Sequence, residues 1–181
     1  MRAFPDIQTP ADLQATVTLW QSIAPPRGLL ADGDEGDSEI DVVIEAATWV
    51  WFVEAKHRSD ISMGTTTRPE RDQVLRNLDV GTHYAGVRRF FFSLLISSDK
   101  TSPMGAQRVR EYRDFAKPRS LLQRHRPDGL PNLSAIGEIR WAQLGEVLFA
   151  ASTGAPREDE RGYASRAHAW LCERGLVTPV V

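Results

Sequence analysis

Apolar runs separated by short polar segments predict a small set of strands along the chain. Two runs rich in Val, Ile, Trp and Phe, residues 39–46 and 49–57, have the composition of β-strands. Only Ala47 and Thr48 lie clearly between them, so the pattern predicts an antiparallel hairpin. Residues 89–97 are almost entirely apolar, as expected for a strand that is covered on both faces.

A helix is predicted near the start of the chain. Thr9 is a suitable N-cap and Pro10 suits a first helical turn. Leu13, Val17 and Trp20 then follow at helical spacing, and two consecutive prolines at 25–26 would end the helix.

Further elements are predicted on both sides of the apolar run. Pro69 opens a helix that continues to about Tyr84, and a long helix covers residues 104–124 with a break or kink at Pro118. A strand follows over residues 136–144, then helices over 144–151 and 161–174, and Leu29 could belong to one more short strand. The pattern predicts an α/β domain with a mixed central sheet, an antiparallel hairpin and flanking helices.

Composition is consistent with one globular domain over residues 1–181. Hydrophobic residues make up 41% of the chain and charged residues 25%. No apolar run is long enough for a membrane helix, and the first residues lack the pattern of a secretory signal. A single cysteine cannot form an internal disulfide, so a cytoplasmic protein without membrane contact is expected.

Charge is unevenly distributed despite a net charge of only −2. Residues 32–45 contain seven acids and no base, whereas residues 108–126 contain seven bases and two acids. We call the latter the basic segment. An acidic focus with a basic segment fits a metal site beside a surface that binds a polyanion. Two solvated surface segments would give the same pattern.

Asp41 and Glu54 are the most informative acids. They lie equally far, on opposite sides, from the midpoint of Ala47 and Thr48. In a regular hairpin they would face each other, with Cβ atoms roughly 5 Å apart. Two opposed carboxylates repel, and a divalent cation such as Mg²⁺ or Mn²⁺ would resolve the repulsion.

Lys56 should share a face of the strand with Glu54, because the two residues are two positions apart. The chain has 22 basic residues, and only Lys56, Lys100 and Lys117 among them are lysines. A lysine inside a strand is therefore unusual for this chain. Its compact charge could orient an attacking water or stabilise a phosphate in the transition state.

Residues 38–41 (SEID) followed by residues 53–56 (VEAK) resemble the PD-(D/E)XK, or restriction-endonuclease-like, nuclease superfamily. The proline of that pattern is replaced here by Ile40. The resemblance implies that Asp41, Glu54 and the main-chain carbonyl of Ala55 bind the metal and that Lys56 is catalytic. It also allows a homodimer, since enzymes of this type often pair to cut both strands.

Gln73 extends the resemblance into the following helix. Gln73, Asn77 and Tyr84 lie off the apolar face of this helix. Several branches of the superfamily carry a glutamine here that faces the metal, sometimes with a downstream tyrosine. The resemblance implies a site role for Gln73 and a weaker one for Tyr84. Glu39 shares a face with Asp41 and is an alternative ligand or a solvated acid.

The resulting hypothesis is a Mg²⁺-dependent nuclease that hydrolyses phosphodiester bonds, with DNA as the first candidate substrate and RNA not excluded. Arg108, Arg110, Arg113 and Lys117 would hold the nucleic-acid backbone, with the last three on one helix face. The alternatives are a non-catalytic module on the same fold that binds nucleic acid or protein, and a structural α/β protein with a chance match.

Overall fold

A computed structural model describes residues 5, 9–27, 35–64, 68–124 and 126–178. It contains five strands and five α-helices in this part of the chain, besides a short 3₁₀ helix over Pro10–Leu13. In chain order the elements are β1 (Thr16–Ile23), β2 (Ser38–Glu45), β3 (Trp49–Ala55), α1 (Gln73–Ala85), β4 (Arg89–Ile96), α2 (Pro103–Tyr112), α3 (Ala116–Leu122), β5 (Leu133–Arg140), α4 (Trp141–Gly154) and α5 (Glu158–Glu173).

The five strands form one mixed sheet in the order β1-β2-β3-β4-β5. Strands β1, β2 and β3 pair antiparallel, whereas β3, β4 and β5 pair parallel. Helix α1 connects β3 to β4, and helices α2 and α3 connect β4 to β5, as parallel pairs require. The carboxyl ends of β3, β4 and β5 therefore meet the amino end of β2 at one edge of the sheet.

The main core lies between the sheet and helices α1, α2 and α3. Strand β4 is its centre, because seven of its eight residues are buried. On one face Phe90, Phe92 and Leu94 join the core with Val74 and Val109 of the helices. On the other face a smaller cluster contains Ala46, Trp49, Phe91 and Ala135. Helices α4 and α5 pack mainly on each other, and α4 also contacts β5.

Gly81 sets how closely helix α1 lies on the sheet. A Cβ atom at this position would fall 2.0 Å from the ring of Phe90. Only glycine permits this approach, so Gly81 is part of the interface between α1 and β4. Gly86, at φ 62°, then ends the helix in a conformation that other residues rarely adopt.

The predicted α/β class with a mixed, helix-flanked sheet is confirmed. The hairpin strands and the apolar strand over 89–97 are observed within two residues of their predicted ends. Helix α1 begins at Gln73, with Asp72 as its N-cap, four residues later than predicted. The short strand predicted near Leu29 lies outside the described residues. No helix in the described ranges is long and apolar enough to span a membrane.

The helix predicted near the start of the chain is wrong. Only Pro10–Leu13 forms a single 3₁₀ turn, and residues from Thr16 onward form strand β1. Thr16, Val17 and Thr18 are β-branched and pair in register with β2, which satisfies the backbone groups of that edge. Pairing with a neighbouring strand therefore outweighed the helical spacing of three apolar residues.

The long helix predicted over residues 104–124 is two helices, and the predicted break at Pro118 is wrong. The chain turns between Tyr112 and Ala116, where Phe115 has a left-handed backbone at φ 66°. Pro118 instead lies in the first turn of α3, where a missing backbone N–H costs little.

Candidate functional site

Asp41 and Glu54 lie on neighbouring antiparallel strands, as predicted. The recorded register of β2 and β3 runs from Glu45 opposite Val50 to Val42 opposite Val53. One further step along this register puts Asp41 opposite Glu54. Burial is the main cause of the raised pKa of Glu54, and the nearby negative charge of Asp41 adds to it. The two carboxylates are therefore neighbours.

Asp41 is held where the two strands separate. Its Oδ2 atom accepts a hydrogen bond of 2.7 Å from the backbone N–H of Ala55. The side chain thus takes the place of a main-chain acceptor at the end of the ladder. Its other oxygen, Oδ1, has no recorded partner among the described residues and can accept another group.

Glu54 is a buried carboxylate with unusual electrostatics. The residue is 3% exposed. Burial raises the pKa of Glu54, Lys56 opposes that rise, and the charge of Asp41 adds to it. Keeping this carboxylate ionised therefore costs free energy until a second positive charge binds beside it.

Lys56 follows the last residue of β3 and lies against Glu54. Its Nζ donates a hydrogen bond of 2.8 Å to Glu54 Oε1, and its side chain is 15% exposed. Its backbone is fixed on two sides. The N–H of Lys56 donates to the carbonyl of Leu95 at 2.8 Å, and the indole of Trp141 donates to the carbonyl of Lys56 at 3.1 Å.

Gln73 reaches the same carboxylate from helix α1. Its amide nitrogen donates a hydrogen bond of 2.6 Å to Glu54 Oε1. Its amide oxygen accepts from the N–H of Ser62 at 3.3 Å, so both ends of the amide are fixed. Gln73 is the first residue of α1, directly after the N-cap Asp72, and this position brings it over the end of β3.

Asn77 is a site residue that the sequence analysis grouped with Gln73 without assigning it a role. It is 2% exposed, and its Nδ2 donates to Glu54 Oε2 at 3.1 Å. Asn77 follows Gln73 by one helical turn, so the two amides lie on one side of α1. The helical spacing was therefore the signal that could have identified it.

The remaining acceptor capacity of the two acids fits a hard cation. A carboxylate offers about four lone-pair positions. Glu54 uses three of them, for Lys56, Gln73 and Asn77, which leaves one on Oε2. Together with Asp41 Oδ1 and the carbonyl of Ala55, this is the oxygen-only set that Mg²⁺ or Mn²⁺ prefers.

Only two acidic side chains contribute to this set. Within the described ranges, no three histidine, cysteine or acidic residues are grouped as they would be in an all-side-chain metal site. A cation here would therefore keep several waters or take oxygens from a substrate, as Mg²⁺ commonly does.

Tyr84, the weaker candidate from the sequence, lies apart from Glu54. The hydroxyl of Tyr84 donates to Glu45 Oε1 at 3.0 Å and accepts from Gln21, at the opposite end of α1 from Gln73. Its weaker assignment to the site is therefore wrong. Glu39 is exposed and lines a cleft beside Gln73.

Two arginines at the start of helix α1 and just before it hold residues 35–37, which precede β2. Arg71 forms a buried ion pair of 2.8 Å with Glu35 and contacts Asp79 as well. Arg76 donates to the backbone carbonyls of Gly36 and Asp37 at 2.8 and 2.7 Å. The side chain of Glu35 and the backbone carbonyls of Gly36 and Asp37 thus attach the chain before β2 to the start of the helix.

The basic segment is not one helix face. Arg110 belongs to α2, Arg113 lies in the turn and Lys117 belongs to α3, so the prediction that these three share a face is wrong. The turn at Phe115 is the physical reason, because it changes the chain direction between them.

Much of the positive charge in the basic segment is paired within the molecule. Arg108 and Lys117 both bind Glu111, and Arg108 also contacts Asp72 at 3.1 Å. Arg110 binds Asp99 at 2.7 Å. Arg113 is exposed and has no recorded ion pair in the described part of the chain.

No protein-family model, curated protein or solved structure matches this chain. The geometry of the site is therefore the basis for any functional conclusion.

Proposed function

We propose that this protein is a metal-dependent nuclease that hydrolyses phosphodiester bonds, with DNA as its first candidate substrate. One observation carries the proposal: Lys56 and Gln73 both donate to the buried Glu54 carboxylate, and Asp41 lies beside it. Two acids, a lysine and an amide at the carboxyl edge of a sheet are the set that the resemblance to PD-(D/E)XK nucleases implies.

Asp41, Glu54 and the carbonyl of Ala55 would hold Mg²⁺ or Mn²⁺. When bound, the cation would supply Lewis-acid activation of the scissile phosphate and of the attacking water. Asp41 and Glu54 bring negative charge that fixes its position, and their mutual repulsion falls when it binds. The hydrogen bond from Ala55 to Asp41 holds this carboxylate in place before the cation arrives.

Lys56 supports the chemistry through its charge. Its side chain is partly exposed and its backbone N–H and C=O are both hydrogen-bonded, and the ion pair with Glu54 orients the ammonium before substrate binds. From this position it can orient the attacking water or stabilise negative charge on the phosphate. Gln73 and Asn77 are positioning residues, because they fix the orientation of Glu54.

The basic segment would contribute to holding the nucleic-acid backbone. Among Arg108, Arg110, Arg113 and Lys117, Arg113 is best suited to a phosphate contact, because it is exposed and its charge is not engaged by a described acid. Arg108, Arg110 and Lys117 would have to exchange their present carboxylate partners for phosphates. Their contribution to affinity is therefore smaller than their number indicates.

Incubation with supercoiled plasmid, linear DNA and RNA in Mg²⁺ or Mn²⁺ tests the proposal. We expect cleavage of nucleic acid that requires the metal and is abolished by EDTA. The matched control is Lys56→Met, which keeps the length of the side chain and removes its charge. Absence of cleavage and of divalent-metal binding under every condition would favour the alternative, a non-catalytic module on the same fold.

A further inference from the structure

The last helix of the fold, α5, exposes two aromatic side chains on one face. Tyr163 is 67% exposed and Trp170 is 49% exposed. They are seven positions apart, about two helical turns, so they lie on the same face of α5. Ala164 and Leu171, the two buried residues of α5, mark the side that packs on α4. Each aromatic residue directly precedes one of them, so the aromatic face lies beside the contact with α4 and remains open to solvent.

Helix α4 continues this face on its own surface. The rings of Phe149 and His168 contact each other, with centroids 5.5 Å apart, on one side of the pair formed by α4 and α5. Val147 and Trp170 are each two positions from one of these residues, about 200° around a helix, so both project to the opposite side. Val147 is 64% exposed. We call Val147, Tyr163 and Trp170 the helix-pair face.

Opposite charges lie at the two ends of the helix-pair face. Asp159 precedes Tyr163 by one turn and Arg174 follows Trp170 by one turn, so both lie on the aromatic side of α5. The guanidinium of Arg174 lies over the ring of Trp170, 5.4 Å from its centroid, and has no recorded ion pair in the described ranges.

Asp159 can bind a second base besides its present partner. Its carboxylate accepts two hydrogen bonds from Arg157 and one from the backbone N–H of Glu160. Three of its roughly four lone-pair positions are therefore used, and one is open. The residue is exposed, so a base from another molecule can reach it.

The aromatic and charged residues are arranged symmetrically about the middle of α5. Tyr163 and Trp170 are equally far from the point between residues 166 and 167, and so are Asp159 and Arg174. A second α5, packed antiparallel about a two-fold axis at this point, would bring unlike residues together. Tyr163 would face Trp170 of the second copy, and Asp159 would face Arg174 of the second copy.

We propose that the helix-pair face is the interface of a symmetric homodimer, with each Tyr163 packed on Trp170 of the other copy and each Asp159 bound to Arg174 of the other copy. An interface about a two-fold axis requires a surface that is complementary to itself, and the symmetric order of charges and rings on α5 meets this requirement. Antiparallel packing of the two α5 helices also opposes their dipoles. The dimer is independent of the proposed nuclease function.

The exposed rings provide a substantial part of the area that such an interface needs. An aromatic side chain buries about 150–250 Å², so covering the exposed fractions of Tyr163 and Trp170 in both copies removes roughly 500 Å² from water. This is about a third of the roughly 1,600 Å² of a standard protein–protein interface. Val147 and the polar residues around the rings would supply the remainder.

Charge reversal at the two ends of the helix-pair face tests the proposal by sedimentation velocity. We expect the wild type to shift from monomer to dimer as its concentration rises. Asp159→Arg and Arg174→Glu should each weaken dimerisation by about tenfold or more, because each places like charges opposite one another at two symmetric positions. An equimolar mixture of the two variants should restore the dimer, since each copy then offers the other an opposite charge at both ends.

Rescue by mixing is specific to a contact between copies. Asp159 and Arg174 are 15 positions apart on α5, roughly 22 Å along the helix axis, so they cannot pair within one copy. Circular dichroism would verify that each variant keeps its helices. Dimerisation of either single variant as strong as that of the wild type, or a mixture that stays monomeric, would overturn the proposed interface.

Trp170→Ala tests the aromatic part of the interface without changing a charge. It should weaken dimerisation by about tenfold or more, as expected for a central aromatic residue of an interface. Trp20→Ala is the matched control, since Trp20 is 68% exposed but lies on β1, and it should leave the dimer unchanged. Loss of the dimer in Trp20→Ala and not in Trp170→Ala would place the interface at β1 and overturn the proposal. A wild type that is monomeric at every concentration would also overturn it.

Discussion

The side-chain amide of Gln73 donates a hydrogen bond of 2.6 Å to the carboxylate of Glu54, although 19 positions separate the two residues. This contact joins the first residue of α1 to the end of β3. The hydrogen bond also opposes the rise that burial causes in the pKa of Glu54, because a hydrogen bond to the charged form favours ionisation. The helix therefore helps to keep a buried carboxylate available as a ligand.

Gln73→Glu should convert this attraction into repulsion at almost constant shape. A third carboxylate beside Asp41 and Glu54 should lower the unfolding temperature in EDTA, and a divalent cation should restore part of the loss. Differential scanning fluorimetry with and without Mn²⁺ measures both effects. An equal unfolding temperature for wild type and variant in EDTA would show that Gln73 does not influence the carboxylate pair.

Lys56→Met should separate catalysis from metal binding. The variant removes the ammonium that contacts Glu54 and keeps the aliphatic stem, so β3 should still form. Metal affinity should persist, while the cleavage rate should fall by about 10²-fold or more, the usual scale for one lost electrostatic stabiliser. Single-turnover cleavage with calorimetry of Mn²⁺ binding measures the two quantities. Equally fast cleavage by wild type and variant would exclude a catalytic role for Lys56.

Asp41→Asn should behave differently from Lys56→Met. The asparagine side chain retains an oxygen that can accept the hydrogen bond from Ala55, so the hairpin should remain intact. The charge that a cation needs is lost, and metal affinity and cleavage should decline together. Circular dichroism would verify the fold, and calorimetry would show the loss of Mn²⁺ binding. Unchanged Mn²⁺ affinity in a folded variant would remove Asp41 from the ligand set.

The hairpin and its carboxylate pair could be predicted from the sequence because the relevant contacts are local. Asp41 and Glu54 are only 13 positions apart, and a two-residue turn fixes which residues face each other. Strand β4 could also be predicted, since a short, continuous apolar run is typical of a strand that is buried on both faces.

Features that depend on distant contacts could not be predicted in this way. Strand β1 forms because it pairs with β2, and no local sequence pattern indicates this pairing. The indole of Trp141 binds the carbonyl of Lys56 across 85 positions. The ion pairs of the basic segment depend likewise on a turn at Phe115 and on Asp99, which precedes α2.

Arg113→Ala should weaken DNA binding more than Arg110→Ala. Arg113 has no ion pair with an acid among the described residues, whereas Arg110 must first break its ion pair with Asp99 before it can bind a phosphate. If Arg113 contacts one phosphate, its loss should reduce the slope of log affinity against log salt by about 0.9. Fluorescence anisotropy with a labelled duplex in Ca²⁺, at several salt concentrations, measures this slope. An identical slope for Arg113→Ala and wild type would show that Arg113 is only a solvated residue.

Glu111→Gln should reveal an acid-sensitive link between helices α2 and α3. Hydrogen bonds from Lys117 and Gln107, with a further contribution from Arg108, lower the pKa of Glu111 from 4.5 to about 2. A lowered pKa stabilises the fold above the ordinary value of 4.5, and this contribution disappears as the pH falls toward 2.

The variant should therefore unfold about 2–4 °C or less below the wild type at pH 7, as expected for a largely exposed pair. The difference should shrink between pH 4.5 and 2 and also at high salt, because salt screens exposed charges. Glu146→Gln on α4 is the control, since Glu146 is exposed and has no recorded ion pair in the described part of the chain. If the difference in unfolding temperature between wild type and Glu111→Gln persists unchanged to pH 2, the carboxylate charge does not stabilise this link.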